Sequence, residues 1–235
     1  MQDKISIITV VYNDVEHIEE TIKSVISQDY QNIEYLVIDG NSTDGTLEIC
    51  KKYSESISRI VSESDTGIYN AMNKGVKLAS GEWLFFLNSG DVFYDEKVIS
   101  NIFKNESNAD IIYGKAITQD RKLCYYPKKI TKNMFIMERM ICHQAIFARK
   151  KALSDNLFDE DYRIIADRVW LYKCLCAKKV VEKKDIIVSI YDTNGISSNK
   201  EKFDKESLRF LKEISRKFYY FGLLKRFFKN LIKKN

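Results

Sequence analysis

The chain is poor in the residues that mark several protein classes. It has 235 residues with only one proline and nine glycines, which excludes collagen-like and proline-rich low-complexity chains. No apolar run approaches the roughly 20 residues of a membrane-spanning helix. Five cysteines without a CxxC pair and two histidines argue against a disulfide framework, a zinc site and a histidine-rich metal site. Because the first strand-like run begins at Ile5 and is too short for a signal peptide, we expect a cytosolic protein.

Charge is distributed unevenly along the chain. Hydrophobic residues make up 45% and charged residues 30% of the sequence, the balance of an ordinary soluble protein, and the net charge is +5. Residues 205–235 hold ten Lys or Arg and two Glu, so residues 1–204 carry a net charge of −3. We therefore expect a mildly acidic body followed by a basic, aromatic tail.

Strand and helix patterns alternate in the first half. Apolar runs rich in β-branched and aromatic residues predict strands, and apolar residues at helical spacing predict the helices between them. Four such repeats within about 90 residues favour an α/β fold with an open, mostly parallel sheet flanked by helices. The predicted strands are Ile5–Val11, Ile33–Ile38, Ile57–Val61 and Trp83–Leu87, and the predicted helices lie around Ile18–Ile26, Leu47–Tyr53 and Ile68–Ala79.

The pattern beyond residue 100 is less regular. It predicts strands at Asp110–Tyr113 and Ala145–Arg149, a hairpin at Ala116–Tyr126, a helix from Asp167 to Ala177 and an extended run at Val180–Tyr191. The body therefore continues as mixed α/β structure up to the basic tail.

The tail, residues 203–235, has the spacing of one or two amphipathic helices, which Gly222 is expected to interrupt. Two interpretations remain open: helices packed on the body with their cationic side in water, or an interfacial helix on an anionic cytoplasmic leaflet. No RNA- or DNA-binding motif accompanies the basic residues, so we expect no nucleic-acid partner. The apolar seam consists of Leu208, Leu211, Ile214, Phe218, Phe221, Leu224, Phe228 and Leu231.

Polar clusters stand where the predicted strands end. In a parallel sheet, ligands bind at the carboxyl ends of the strands, although Asp and Asn are also good turn and cap formers. Neither a GxGxxG turn nor a P-loop is present, so we expect a divalent cation to bridge a carboxylate and the phosphates of a ligand, with Asp91 as its ligand. The clusters are Tyr12-Asn13, Asp39, Glu63-Ser64-Asp65 and Asn88-Ser89-Gly90-Asp91.

Four motifs in this order resemble the family 2 glycosyltransferases of GT-A fold, which are inverting enzymes that use nucleotide-diphosphate sugars. The resemblance covers about residues 4–192 and is closest to the bacterial branch that builds exopolysaccharide, capsule and O-antigen units. Residues 63–75 and 142–147 are similar to sequences of that branch. The four motifs are Ile7–Asn13, Asp39–Thr46, Asp65–Gly75 and Gly81–Asp91.

The resemblance implies a nucleotide site along the strand ends. Val10 to Tyr12 would line the base and ribose, and Asp39 and Asp65 would lie at the base. The acidic motif of the family falls on residues 88–91, where Asn88 replaces the first acid and joins the nucleotide-binding set. Asp91 is then the one carboxylate left to hold Mg²⁺ or Mn²⁺ together with the phosphates.

The resemblance also implies a catalytic base. It matches Asp167, which Ala166 precedes where the family commonly has Glu, and which is equally a candidate N-cap of its helix. His143 and Gln144 would face the donor sugar or the acceptor, and Trp170 would stack on a sugar ring, unless these side chains belong to the core. The implied halves are a nucleotide-binding half at about 1–108 and an acceptor-side half at about 109–202, with the tail following.

Together these features predict an inverting, metal-assisted glycosyltransferase of bacterial surface polysaccharide synthesis. The donor would be a UDP-sugar, and the acceptor a polyprenyl-diphosphate-linked saccharide at the inner face of the cytoplasmic membrane. Two alternatives remain open. One is a nucleotide-sugar-binding protein without transfer activity, which the incomplete acidic motif favours. The other is a sugar nucleotidyltransferase, although the glycine-rich opening loop of such enzymes is missing from this sequence.

Overall fold

The computed structural model describes residues 2–137, 139, 141–192 and 200–232, with side chains up to residue 226. Its centre is an eight-stranded sheet in the order β3-β2-β1-β4-β7-β6-β8-β5. The strands are β1 Ile5–Val11, β2 Ile33–Asp39, β3 Arg59–Ser62, β4 Trp83–Phe86, β5 Val92–Phe93, β6 Ile111–Thr118, β7 Ile146–Arg149 and β8 Val181–Tyr191.

Helices cover both faces of this sheet. The two apolar clusters of the core lie on opposite faces of β1, one containing Ile8 and Val10 and the other Ile5 and Ile7. None of the helices in the described part of the chain combines the length and apolarity needed to cross a membrane. The helices are α1 Ile18–Ile26, α2 Thr46–Lys52, α3 Ile68–Leu78, α4 Val98–Ile102, α5 Lys132–Ile136, α6 Lys150–Ser154, α7 Ala166–Cys176, α8 Lys200–Ile214 and α9 Arg216–Ile232.

The first half of the sheet is parallel, as the alternation of strands and helices predicts. β1 pairs in parallel with β2 and with β4, and β2 pairs in parallel with β3. The register sets Val11 beside Asp39, so the ends of β1 and β2 lie at the same edge. All seven residues of β1 are buried, which explains its uninterrupted apolar sequence.

The second half departs from a simple parallel pattern. β7 is antiparallel to both β4 and β6, and β5, which the sequence does not predict, is antiparallel to β8. The predicted hairpin at Ala116–Tyr126 is reduced to a tight turn with a single bridge between Ile117 and Leu123. β3 begins at Arg59, two residues later than predicted, because the amide of Ile57 donates to the Tyr53 carbonyl at 3.1 Å in the turn that follows α2.

Close packing fixes the position of Gly75 in α3. A Cβ atom there would lie 2.5 Å from Cγ2 of Ile8 on β1, so only glycine lets the helix come this near the sheet.

The tail forms two helices, but the break predicted at Gly222 is wrong. The helical structure is interrupted at Ser215, between α8 and α9, and Gly222 lies inside α9. A Cβ atom at Gly222 would lie 2.8 Å from Leu211 on α8, so this glycine serves a close helix–helix approach. The side chains predicted for the end of the seam, Phe228 and Leu231, lie outside the described residues.

Candidate active site

The ends of β1, β2 and β4 form one edge of the sheet. The amide of Gly40 donates to the Val11 carbonyl at 2.9 Å, and the amide of Ser89 donates to the Val10 carbonyl at 3.2 Å. Val10 itself is 5% exposed, so it lies beneath this edge with its side chain in the core. The polar clusters that the sequence places at strand ends are therefore neighbours in space.

Asp39 holds the loop that follows β2. Its carboxylate accepts hydrogen bonds from the Ser42 amide at 3.1 Å, the Ser42 hydroxyl at 2.5 Å and the Ser62 hydroxyl at 2.5 Å. The residue is fully buried. A contact between Asp39 and a nucleotide base stays a prediction.

Tyr12 and Asp65 meet over Gly40. A Cβ atom at Gly40 would lie 2.9 Å from the Asp65 carboxylate and 3.2 Å from the Tyr12 ring. Tyr12 is 65% exposed, which leaves its ring available to a planar ligand such as a base. The absence of a side chain at Gly40 is thus what brings these two predicted nucleotide contacts together.

The loop of residues 88–91 is fastened to α1. Thr21 Oγ1 accepts a hydrogen bond from the Gly90 amide at 3.1 Å and donates one to the Asp91 carbonyl at 2.9 Å. Ser89 Oγ donates to Asp14 Oδ2 at 2.6 Å. Gly90 has a φ of 90°, which a residue with a side chain rarely adopts. The backbone of the loop is therefore held from the side of α1.

The Asp91 carboxylate is buried and bonded on both oxygens. Gln144 Nε2 donates to Oδ2 at 2.9 Å, and the Asp192 amide donates to Oδ1 at 2.9 Å. Burial raises the pKa of Asp91 to about 6, although these bonds act in the opposite direction. Nearby, Asn88 Oδ1 is buried without a hydrogen-bond partner among the described residues. The part of the chain that the structure describes contains no group of three His, Cys, Asp or Glu side chains able to hold a metal ion.

Asp167 lies in the first turn of α7. Its Oδ1 accepts hydrogen bonds from the Tyr69 hydroxyl at 3.0 Å and from the Arg168 amide at 2.8 Å, and its Oδ2 lies 3.3 Å from His143 Nδ1. Burial alone would raise the pKa of Asp167, but the hydrogen bonds from His143, Arg168 and Tyr69 lower it below its ordinary value. At neutral pH the group is therefore a carboxylate that can accept a proton, and its side chain keeps 18% exposure.

His143 joins Asp167 to the end of β4. Asn88 Nδ2 lies 3.1 Å from His143 Nε2, and with the amide as donor the imidazole carries its proton on Nδ1, towards Asp167. A cavity of about 20 Å³ beneath the pair is otherwise lined by apolar side chains such as Phe86 and Trp170. The candidate base and the candidate nucleotide edge are therefore one ring apart.

Gln144 and Trp170 do not face an open site. Gln144 is 5% exposed, with its amide on Asp91 and its carbonyl accepting from the Cys142 thiol at 2.7 Å. Its predicted sugar contact is replaced by a supporting contact to Asp91. Trp170 is 4% exposed and packs against Phe158 at 6.0 Å, so the prediction that it stacks on a sugar is wrong. One turn after Asp167, the helix turns this face into the core.

The sequence pattern did not single out Tyr69 or Glu160. Tyr69 donates to Asp167, while Asn70 and Asn73 donate to the Glu160 carboxylate, each at 2.9 Å. These three residues lie on α3, in the motif at 65–75, and their helical spacing is the signal that could have identified them. The motif thus binds the segment that leads to α7.

Comparison with known proteins shows the family of this chain. Residues 6–163 match the family model described as Glycosyl transferase family 2. The chain belongs to glycosyltransferase family 2. A PGL/p-HBAD biosynthesis glycosyltransferase of Mycobacterium bovis is 30% identical over 212 residues, which are 87% of this chain and 82% of that protein. Glycosyltransferase GlyA of Streptococcus pneumoniae is 31% identical over 153 residues, 60% of this chain and 22% of GlyA.

Solved structures share the fold of this family 2 enzyme. S. aureus TarS has a TM-score of 0.68 at 22% identity, over 88% of this chain and 38% of TarS. Mannosyltransferase PcManGT of Pyrobaculum calidifontis, solved with GDP-Man and Mn²⁺, has a TM-score of 0.70 at 16% identity, over 91% of this chain and 64% of that one. The GT-A fold expected from the sequence is confirmed. This chain spans about two fifths to two thirds of these solved chains.

Proposed function

We propose that this glycosyltransferase moves a sugar, with inversion, from a nucleotide-diphosphate sugar to a hydroxyl of a lipid-linked saccharide. The observation that carries the proposal is the contact series from Asn88 through His143 to Asp167, with steps of 3.1 and 3.3 Å. This series joins a half-buried carboxylate to the strand ends where a nucleotide is expected. A general base must lie this close to the donor, because the acceptor hydroxyl attacks the anomeric carbon directly.

In this reaction Asp167 takes the proton of the acceptor hydroxyl. The acceptor oxygen forms a bond to the anomeric carbon as the bond from that carbon to the diphosphate breaks, and the nucleoside diphosphate leaves with the bonding electrons. Tyr69 and His143 hold the two carboxylate oxygens, which fixes the orientation of the base. A positioned base contributes about 10²–10⁴-fold to such a rate.

The oxygen atoms of Asn88 and Asp91 suit a divalent cation that would also be coordinated by the diphosphate of the donor. Asn88 Oδ1 is a buried oxygen without a partner in the described chain, and the Asp91 oxygens keep further lone pairs beyond their two bonds. Oxygen ligands are those that Mg²⁺ and Mn²⁺ prefer. Bound there, the cation would supply positive charge to the departing diphosphate.

Uracil is the base we propose for the donor. Structures of TarS carry UDP and UDP-GlcNAc, whereas PcManGT carries GDP-Man, so guanine is the competing base. Tyr12 and Asp65 are the residues we assign to the base, because Gly40 brings them together at the open edge of the sheet.

For the acceptor side we propose contact with an anionic membrane surface through α9. Its side chains Tyr220, Phe221 and Leu224 are 66%, 45% and 55% exposed. Basic residues surround them in a segment without a single acid, and each Lys or Arg near an anionic leaflet contributes about 1 kcal/mol. An enzyme at the inner face of the membrane would meet a polyprenyl-linked acceptor of surface polysaccharide synthesis there.

Calorimetric titration with UDP, GDP, dTDP and CMP, each with Mn²⁺ and with EDTA, tests the donor site. We expect tight binding of one diphosphate that weakens at least tenfold in EDTA. Binding that ignores EDTA would remove the cation from the proposal. Tight binding without any turnover of the matching donor sugar, unchanged by Asp167→Asn, would favour a sugar-binding protein without transfer activity.

Flotation with vesicles tests the membrane surface. The full chain should float with vesicles containing 30% anionic lipid on the order of tenfold better than the variant Phe221→Ser/Leu224→Ser. Tyr94→Ser is the matched control, since Tyr94 is 38% exposed on the body. Equal flotation of all three proteins would contradict the role of α9.

A further inference from the structure

The segment before α7 is held by a residue from the tail. The Glu206 carboxylate on α8 accepts hydrogen bonds from three consecutive backbone amides. The Arg163 amide donates to Oε1 at 2.8 Å, and the amides of Ile164 and Ile165 donate to Oε2 at 2.9 and 3.2 Å. Residues 163–165 belong to no helix or strand, so these amides have no ladder of their own. One carboxylate therefore satisfies the whole run of donors that leads to α7.

The same segment is held from its other side by α3. The Tyr69 hydroxyl donates to the Ile164 carbonyl at 2.8 Å and to Asp167 Oδ1 at 3.0 Å. Ile165, the N-cap of α7, has no side chain that caps the helix. The orientation of the first turn, and with it Asp167, therefore depends on Tyr69 on one side and Glu206 on the other.

α8 is fixed firmly enough for Glu206 to do this. Ser207, Phe210 and Leu211 are at most 3% exposed. The guanidinium of Arg168, the residue after Asp167, lies 6.0 Å from the Phe210 ring, and the Tyr162 hydroxyl donates to Glu213 at 2.6 Å. The helix is therefore packed on the body over the two turns that follow Glu206.

We propose that Glu206 is a positioning residue for the catalytic base, so that the first tail helix is part of the catalytic unit. The inference rests on the role of Asp167 in the proposed function. Negative charge at the N-terminus of a helix is favourable, and a carboxylate that accepts three charge-assisted bonds is a strong restraint. Without it, residues 163–165 would turn their amides to water and the Asp167 side chain would lose its fixed direction.

The test compares Glu206→Ala and Glu206→Gln with the control Glu201→Ala, which changes an exposed acid in the same helix. Hydrogen exchange of the peptide covering residues 160–168 is measured by mass spectrometry. Nucleoside diphosphate release from UDP-GlcNAc and GDP-mannose, with water as the acceptor, gives turnover, and calorimetry gives nucleotide affinity.

For Glu206→Ala we expect at least tenfold faster exchange of the 163–165 amides and at least tenfold lower kcat, with nucleotide affinity within twofold of the parent chain. Glu206→Gln keeps one acceptor oxygen, so its exchange rate and kcat should lie between those of Glu206→Ala and the parent chain. Glu201→Ala should match the parent chain in both. Unchanged exchange in Glu206→Ala would overturn the proposal, and so would unchanged kcat. Loss of affinity and kcat together would reduce Glu206 to a general structural role.

A parallel Asp167→Asn variant distinguishes failure of the proposed base from failure of the positioning role of Glu206. If Asp167→Asn keeps the parental kcat, the base assigned under the proposed function is wrong. If Asp167→Asn is inactive while Glu206→Ala is fully active, only the positioning role of Glu206 is refuted.

Discussion

Donor binding should depend on the protonation of Asp91. Burial raises the pKa of this carboxyl to about 6, within the range where a protein can be studied folded. A protonated carboxyl is a poor cation ligand. If Asp91 helps to hold the cation, the affinity for donor and Mn²⁺ should therefore fall as the pH drops through about 6.

The size of the effect follows from that pKa. At pH 5, one unit below it, about one Asp91 in eleven remains ionised, which corresponds to a loss of about tenfold in affinity, or ~1.4 kcal/mol. Stability should change in the opposite direction. Because the folded pKa lies above the unfolded one, the folded state binds more protons between about pH 4 and 6, so Asp91 stabilises the fold as the pH falls. Weaker binding at pH 5 would then not reflect unfolding through this group.

The assay is calorimetry with the nucleotide sugar and Mn²⁺ between pH 7.5 and 5. A nucleotide sugar is preferable to a free diphosphate, because a terminal phosphate titrates near pH 6 itself. Asp91→Asn should bind more weakly at pH 7.5 and show no further loss at pH 5. His17→Asn is a control that should keep the pH dependence, because His17 is a titratable group whose pKa the bond to Asp14 raises above its ordinary value. A dissociation constant at pH 5 within twofold of that at pH 7.5 would show that Asp91 does not help to hold the cation.

Three further variants probe the packing and the site. Tyr69→Phe removes the hydroxyl bonded to Asp167 and should lower donor turnover about tenfold in a diphosphate-release assay, with unchanged calorimetric nucleotide affinity. Gly75→Ala places a methyl 2.5 Å from Ile8 and should lower the free energy of unfolding in urea by about 1–3 kcal/mol. Although burial acts to raise it, bonds from Ser6 and Ser80 lower the pKa of Glu34 from 4.5 to about 2. Glu34→Gln should therefore lose about 2–3 kcal/mol in urea at pH 7, a difference that shrinks as the pH falls below about 4.5.

Positions along parallel strands could be predicted from the sequence because their geometry is regular. Once β1, β2 and β4 are recognised, their carboxyl ends must share an edge, and Asp39 and Asn88 follow directly. The surroundings of Asp91 could not be predicted in the same way. Its partners Gln144 and Asp192 are 53 and 101 residues away in the chain, and they reach it only because β7 and β8 return antiparallel to β4 and β5. Periodicity predicts β4, β7 and β8 but not β5, and it does not indicate which strands pair.

His143 shows a similar limit. Its neighbours in the sequence indicate either a core histidine or a group facing the sugar, and the structure gives it a third position, between Asn88 and Asp167. That position depends on the 3-10 turn at His143–Ala145, which aims the ring at α7 while Gln144 points to Asp91. Two adjacent side chains thereby support the two carboxylates of the candidate site.

In the tail, the distribution of charge separates two interpretations that the hydrophobic periodicity leaves open. A regular apolar seam fits a helix that packs on the body as well as one that lies on lipid, so the spacing of leucines and phenylalanines does not distinguish them. The charges do. α8 contains the acids Glu201, Asp204, Glu206 and Glu213, and two of them bond to the body, whereas α9 contains none. Acidic side chains can accept hydrogen bonds from amides and hydroxyls of the body, whereas an anionic leaflet repels them. The division at Ser215 between a mixed-charge helix and a purely cationic one therefore marks where the acidic contacts with the body end and an exposed aromatic surface begins.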